Sequence, residues 1–134
     1  MKKMEEQMSY KILIIEDDLD ELEARKIVLE HNNYNVETAT CVEVAKEILE
    51  NKKIDLILLD VMMEKDSDGF NFAQNIKNSE KFKHIPIIMA TAVSQRTGFK
   101  FDMKTDGAFL PVEKFMEKPI DPDDLIAAIR GFLK

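Results

Sequence analysis

The chain has 134 residues, 45% of them hydrophobic and 34% charged, the size and make-up of one globular domain with a real core. Its 19 Lys and Arg against 26 Asp and Glu leave a formal net charge of −7, which argues against a general nucleic-acid binder and against docking on an anionic membrane. One cysteine, Cys41, and two histidines, His31 and His84, exclude a disulfide framework and leave too little for a Cys- or His-based metal cluster.

Met1 to Ser9 is charged and Met-rich and lacks the apolar stretch of a signal peptide, so residues 1–9 read as a tail before a domain at 10–134. No apolar run is long enough to span a bilayer, and a cytoplasmic location is the expectation. Lys11 to Ile15 is a continuous apolar run, as suits a strand covered on both faces. Asp17 or Asp18 can cap the next helix, in which Leu19, Leu22 and Leu29 recur at helical spacing up to Asn32-Asn33. Tyr34 to Ala39 reads as a weaker strand, and Val42, Ala45, Ile48 and Leu49 line one face of a second helix. Ile54 to Leu59 is the strongest strand and runs into Asp60, followed by a loop through Asp68-Gly69. Phe72, Ala73 and Ile76 mark a third helix, and Ile85 to Ala90 a strand ending at Thr91-Ala92. Residues 93–113 are polar and interrupted by Gly98, Gly107 and Pro111, and resist assignment. Lys114 to Glu117 is a short last strand before Lys118-Pro119. The final helix opens with Asp121 as N-cap, Pro122 at its first position and Asp123 and Asp124 in its first turn, with Leu125, Ile129, Phe132 and Leu133 as its apolar face.

Five strands alternating with helices imply an α/β, doubly wound parallel sheet with helices on both faces. In such sheets the ligand site lies beyond the carboxyl ends of the strands. Those ends bring together Glu16, Asp17, Asp60, Thr91 and Lys118. Crowded carboxylates repel unless a cation sits among them, and an all-oxygen donor set favours Mg²⁺ or Mn²⁺ over zinc. A cation, a lysine and a hydroxyl together suit a phosphoryl group. Asp60, at the end of the most apolar strand, is then the candidate nucleophile of an aspartyl-phosphate.

Four stretches in order, Ile12 to Asp18, Asp55 to Met63, Ile85 to Ala92 and Glu117-Lys118-Pro119, resemble the response-regulator receiver domain of two-component signalling. The resemblance covers Tyr10 to Lys134. It implies a flavodoxin-like sheet of order 2-1-3-4-5. It also implies Asp60 as phospho-acceptor, Asp17 as direct metal ligand with Glu16 acting through water, and the Met62 backbone carbonyl on the metal. Thr91 resembles the hydroxyl that binds the phosphoryl group, Lys118 the lysine that contacts it, and Phe115 the aromatic switch; the Lys118-Pro119 peptide is expected to be cis. The donor in that family is a phosphohistidine on a sensor histidine kinase or phosphotransfer protein, which small phosphodonors can replace. The output is a conformational signal to a protein partner, from a monomer or weak homodimer, by a signalling protein and not an enzyme.

The chain departs from that pattern in three places. The Asp60-to-Gly69 and Thr91-to-Lys118 intervals are long, Glu64 stands where proline is common, and residues 93–113 lack the expected fourth helix and Gly-Ala-Asp turn. Phe99, Phe101 and Phe109 either staple that segment to the body or form an exposed docking patch. Two other functions stay open. One is a receiver fold that docks without phosphorylation. The other is a haloacid-dehalogenase-like phosphatase, against which Met62 counts, because it occupies the position of that class's proton-donating acid. With Lys134 closing the last helix, a complete product of this length would be a stand-alone receiver.

Overall fold

The computed structural model describes residues 10–60, 66–91 and 112–133, with the side chains of 66–70 and 91 outside the description. The expected tail at 1–9, Met62, Glu64 and the phenylalanines at 99, 101 and 109 lie outside the described residues. Five strands pair in parallel: β1 (Lys11–Ile15), β2 (Asn35–Ala39), β3 (Leu56–Asp60), β4 (Ile87–Thr91) and β5 (Lys114–Glu117). Their order is β2-β1-β3-β4-β5, the doubly wound sheet expected from the sequence. The described helices are α1 (Leu19–His31), α2 (Val42–Asn51), α3 (Asp66–Lys77) and α4 (Pro122–Phe132).

Strand side chains alternate between faces, and the sheet divides the core accordingly. Leu13, Ile15, Ile57, Leu59, Ile87 and Met89 pack with Ala45 and Leu49 of α2 and Phe72, Ala73 and Ile76 of α3. Ile12, Ile14, Leu56, Leu58 and Ile88 pack with Leu22 and Leu29 of α1 and Leu125, Ile126 and Ile129 of α4. Each fully buried aliphatic side chain contributes about 1.5–3 kcal/mol. That gain explains why β1, β3 and β4, apolar on both faces, are the interior strands of the sheet.

Local chemistry sets the helix ends. Asp18 caps α1, its Oδ1 accepting from the N–H groups of Asp20 and Glu21 at 2.9 and 3.1 Å. Asp121 caps α4, accepting from Asp123 N at 2.7 Å. Asn33, with φ 73°, turns the chain out of α1 in the left-handed region that Asn tolerates.

Three expectations are corrected. Leu19 is 66% exposed: it is the first residue after the cap, and Leu22 and Leu29 alone among the three leucines reach the sheet. Phe132 is 38% exposed in the last turn of α4, and Ile126 supplies the buried contact beside Leu125 and Ile129. The loop expected through Asp68-Gly69 is already helix, since α3 begins at Asp66; acids in a first turn are favoured by the helix dipole. At the end of the unassigned stretch, Glu113 is firmly tied. Its Oε1 accepts from Ile87 N at 2.7 Å, its Oε2 pairs with Lys77 at 2.8 Å, and its own N–H donates to Ile87 O.

Candidate functional site

The strand order reverses between β1 and β3, so their carboxyl ends flank the crevice where such sheets bind ligands. Ile15 and Leu59 are register partners, and the next step along each strand brings up Glu16 and Asp60. Both are buried, at 1% and 2% exposure. The period of two that puts Ile12 and Ile14 on the α1/α4 face puts Glu16 there also, and Asp60 follows Leu56 and Leu58 to the same side.

Three more charged groups close over them. Lys118, just beyond β5, donates from Nζ to Asp60 Oδ2 at 2.7 Å and lies 3.5 Å from Glu16 Oε1. The Lys118–Pro119 peptide bond is cis. From α1, Arg25 Nη1 donates to Glu16 Oε1 at 2.7 Å. Glu21 Oε1 lies 3.0 Å from Lys118 Nζ and 3.2 Å from Arg25 Nη2. That oxygen is shut off from solvent, within ion-pair reach of both cations but without an aligned hydrogen bond. Glu16 Oε2 accepts from Asp18 N at 3.2 Å.

One carboxylate oxygen from each of Glu16, Glu21 and Asp60 lies within 4.8 Å of the other two. Such a set of hard oxygen donors, two of its members buried, fits a hard divalent cation. Asp17, one residue past Glu16, is exposed and its carboxylate is not part of this cluster. Glu21 of α1 supplies the third carboxylate of the cluster. Thr91 is the last residue of β4, in register with Glu117 of β5, and its side chain lies outside the described residues. Phe115 is half-buried and packs against the core on the α2/α3 face. Cys41 precedes α2 and is half-buried.

Crowding shows in the protonation of the site. Burial first, then the hydrogen bond to Asp60 and its charge, push the Glu16 carboxyl from 4.5 up to about 8. Burial alone would lower the Lys118 ammonium, but its contacts with Asp60 and Glu21 and the charges of Asp60 and Glu16 outweigh that and raise it. The folded protein therefore holds a proton on Glu16 that the unfolded chain has released. The Glu16 contribution to stability is full below about pH 4.5 and is lost as pH rises through about 8. Denaturant unfolding without divalent cation should show this loss between pH 5 and 8.5 (roughly, the span set by the two states). Glu16→Gln should flatten the slope over that window; an unchanged slope would exclude Glu16 as its source.

Sequence reasoning missed Glu21 and Arg25. A signal was present: Leu22, Arg25 and Leu29 share the inward stripe of α1 by i, i+3, i+7 spacing, which places an arginine among core positions. The Arg25 side chain is only 14% exposed.

Comparisons with known proteins agree with this architecture. The family model described as response regulator receiver domain matches residues 12–130. The phosphate regulon transcriptional regulatory protein PhoB of Pseudomonas aeruginosa is 32% identical over 92% of this chain and 51% of its own length. The chain spans about half the length of the curated relatives it matches. Among solved structures, the signal receiver domain of a signal transduction histidine kinase from Syntrophus aciditrophicus superimposes with a TM-score of 0.78 at 25% identity, over 93% of this chain and 90% of that one. The chemotaxis response regulator CheY4 of Vibrio cholerae shares the fold at a TM-score of 0.78 and 23% identity, over 93% of this chain and 99% of that one. The chain belongs to the response regulator receiver domain family.

Proposed function

We propose that this receiver domain, taken as residues 10–134 behind a tail at 1–9, accepts a phosphoryl group on Asp60 and passes the resulting change to a protein partner. The donor in this reading is a phosphohistidine of a sensor histidine kinase or phosphotransfer protein. The observation that carries the proposal is the contact of Lys118 Nζ with Asp60 Oδ2 at 2.7 Å, beside a buried Glu16 at a sheet switch point.

The chemistry follows from that contact. An Asp60 carboxylate oxygen forms a bond to phosphorus as the P–N bond of phosphohistidine, or the P–O bond of acetyl phosphate, breaks. The imidazole or acetate leaves with the bonding pair. Lys118 already faces the reacting carboxylate and offsets the negative charge spread over the phosphoryl oxygens. Glu16, Asp17 and Asp60 would hold Mg²⁺ or Mn²⁺, with Asp17 as direct ligand, Glu16 acting through water, the Met62 carbonyl as a further oxygen and Glu21 beside them; the ion would supply charge neutralisation for the incoming phosphoryl group. Thr91 is assigned to bind that group and Phe115 to respond to it. No helix among the described residues is long and apolar enough to cross a membrane.

Incubation with Mg²⁺ and acetyl phosphate should give a mass gain of one phosphoryl group, stable to acid and labile to base. No gain with a range of donors would overturn the proposal and favour a receiver that docks without phosphorylation. Rapid turnover of unrelated phosphomonoesters would favour the phosphatase.

A further inference from the structure

We infer that Arg25 is a resident counter-cation of the carboxylate cluster, and that it competes with a divalent cation for Glu16. The affinity of the site for metal is then set from α1. The inference rests on the cation site proposed above.

Arg25 occupies a core-facing position of α1, yet its guanidinium is spent wholly on the site. Nη1 is 2.7 Å from Glu16 Oε1, and Nη2 is 3.2 Å from Glu21 Oε1. Glu16 has its other oxygen on Asp18 N, so both of its oxygens are engaged. A cation that engages Glu16, directly or through water, must therefore share or displace the guanidinium at Oε1. Charge adds to the competition. The cluster has three carboxylates and, in Arg25 and Lys118, two cations within ion-pair distance. Every unit of positive charge already present reduces the attraction for a further divalent ion.

The two cations have different tasks. Lys118 reaches Asp60, whereas the ion pairs of Arg25 are with Glu16 and Glu21. Arg25 is therefore a positioning residue: it holds Glu16 and leaves the acceptor alone. It also has room to withdraw, because beside it a cleft of about 400 Å³ opens between α1 and the Lys118-Pro119 segment, walled by Ala24, Val28, Pro119 and Leu125.

The test is Mg²⁺ binding itself, measured by calorimetric titration and by the rise of the unfolding midpoint with Mg²⁺ concentration. Arg25→Gln, which keeps a hydrogen-bond donor and removes the charge, should bind Mg²⁺ about tenfold more tightly. Arg25→Lys, which restores the charge, should return the affinity to near that of the wild type. Equal or weaker binding by Arg25→Gln, or equal tightening by both variants, overturns the inference. In nitrogen-labelled wild type, which needs no variant to fold, the Arg25 guanidinium should lose protection from solvent exchange as Mg²⁺ saturates; unchanged protection also overturns it. If no variant binds Mg²⁺, the wild type included, the cation site itself is wrong and the inference falls with it.

Discussion

Asp60→Asn is expected to abolish phosphoryl uptake from acetyl phosphate and, above about pH 8 in the absence of divalent cation, to stabilise the fold. The two effects share one cause. Asn lacks the anionic oxygen that forms the bond to phosphorus, so no aspartyl-phosphate can arise at this position. Its carbonyl oxygen can still accept from Lys118 Nζ, which now donates to Oδ2 at 2.7 Å. The shape of the site is therefore kept while one of its crowded negative charges is removed. Above about pH 8, where Glu16 is ionised, Glu16, Glu21 and Asp60 stand against Arg25 and Lys118, and losing one acid brings the two sides level. The relief should be about 1 kcal/mol, seen as a rise of a few degrees in Tm. The Glu16 carboxyl, raised in part by Asp60, should fall back toward the ordinary range while burial keeps it somewhat elevated. A mass gain that survives Asp60→Asn would place the acceptor elsewhere, and a fall in Tm would show that the Lys118–Asp60 pair outweighs the crowding.

Lys118→Met should act in the opposite direction on stability. Methionine replaces much of the lysine stem but carries no charge, so Asp60 loses its 2.7 Å partner while remaining 3% exposed. Removing one member of a buried ion pair leaves an uncompensated charge, and the cost should be about 3 kcal/mol near neutral pH. Arg25 is bound to Glu16 and Glu21 and does not make up the loss. Acid should restore part of the stability by protonating the stranded carboxylates. Phosphoryl uptake should slow by roughly a hundredfold, the order expected when a preorganised donor to developing charge is removed. Denaturant titration and the time course of the mass gain measure the two effects separately. A variant as stable and as fast as the wild type would leave Lys118 a surface lysine with no part in the chemistry.

The legible parts of this protein are those in which a residue's type and its place in the periodic pattern agree. The runs Lys11 to Ile15 and Ile54 to Leu59 are apolar on both faces, and only a strand covered on both sides buries all of that surface; they are β1 and β3, two of the three interior strands. The cap Asp121 was equally readable, and that of α1 was narrowed to Asp17 or Asp18, of which it is Asp18, because a carboxylate before a helical run satisfies N–H groups that the helix leaves unpaired. Leu19 and Phe132 were misread because helical spacing alone does not say which side of a stripe faces the sheet at a helix end. The segment after β4 resisted reading because its polar residues, glycines and proline carry no period.

Chain order and hydrophobic pattern by themselves determined the alternation of strands and helices, the burial of β1 and β3 on both faces, and the arrival of Glu16, Asp60 and Lys118 at one end of the sheet. The family resemblance added the strand order and the expected chemical roles. Only the tertiary structure decided which charges share the pocket. It turned Glu16 and Asp60 to the α1/α4 face, left Asp17 exposed, and brought Glu21 and Arg25 of α1 onto them. The reason is physical. Strand order and membership follow from hydrophobic burial, which is large and periodic along the chain. The ionic partners of a buried carboxylate depend on which helix face packs over its strand end, and that is settled only when the two layers meet.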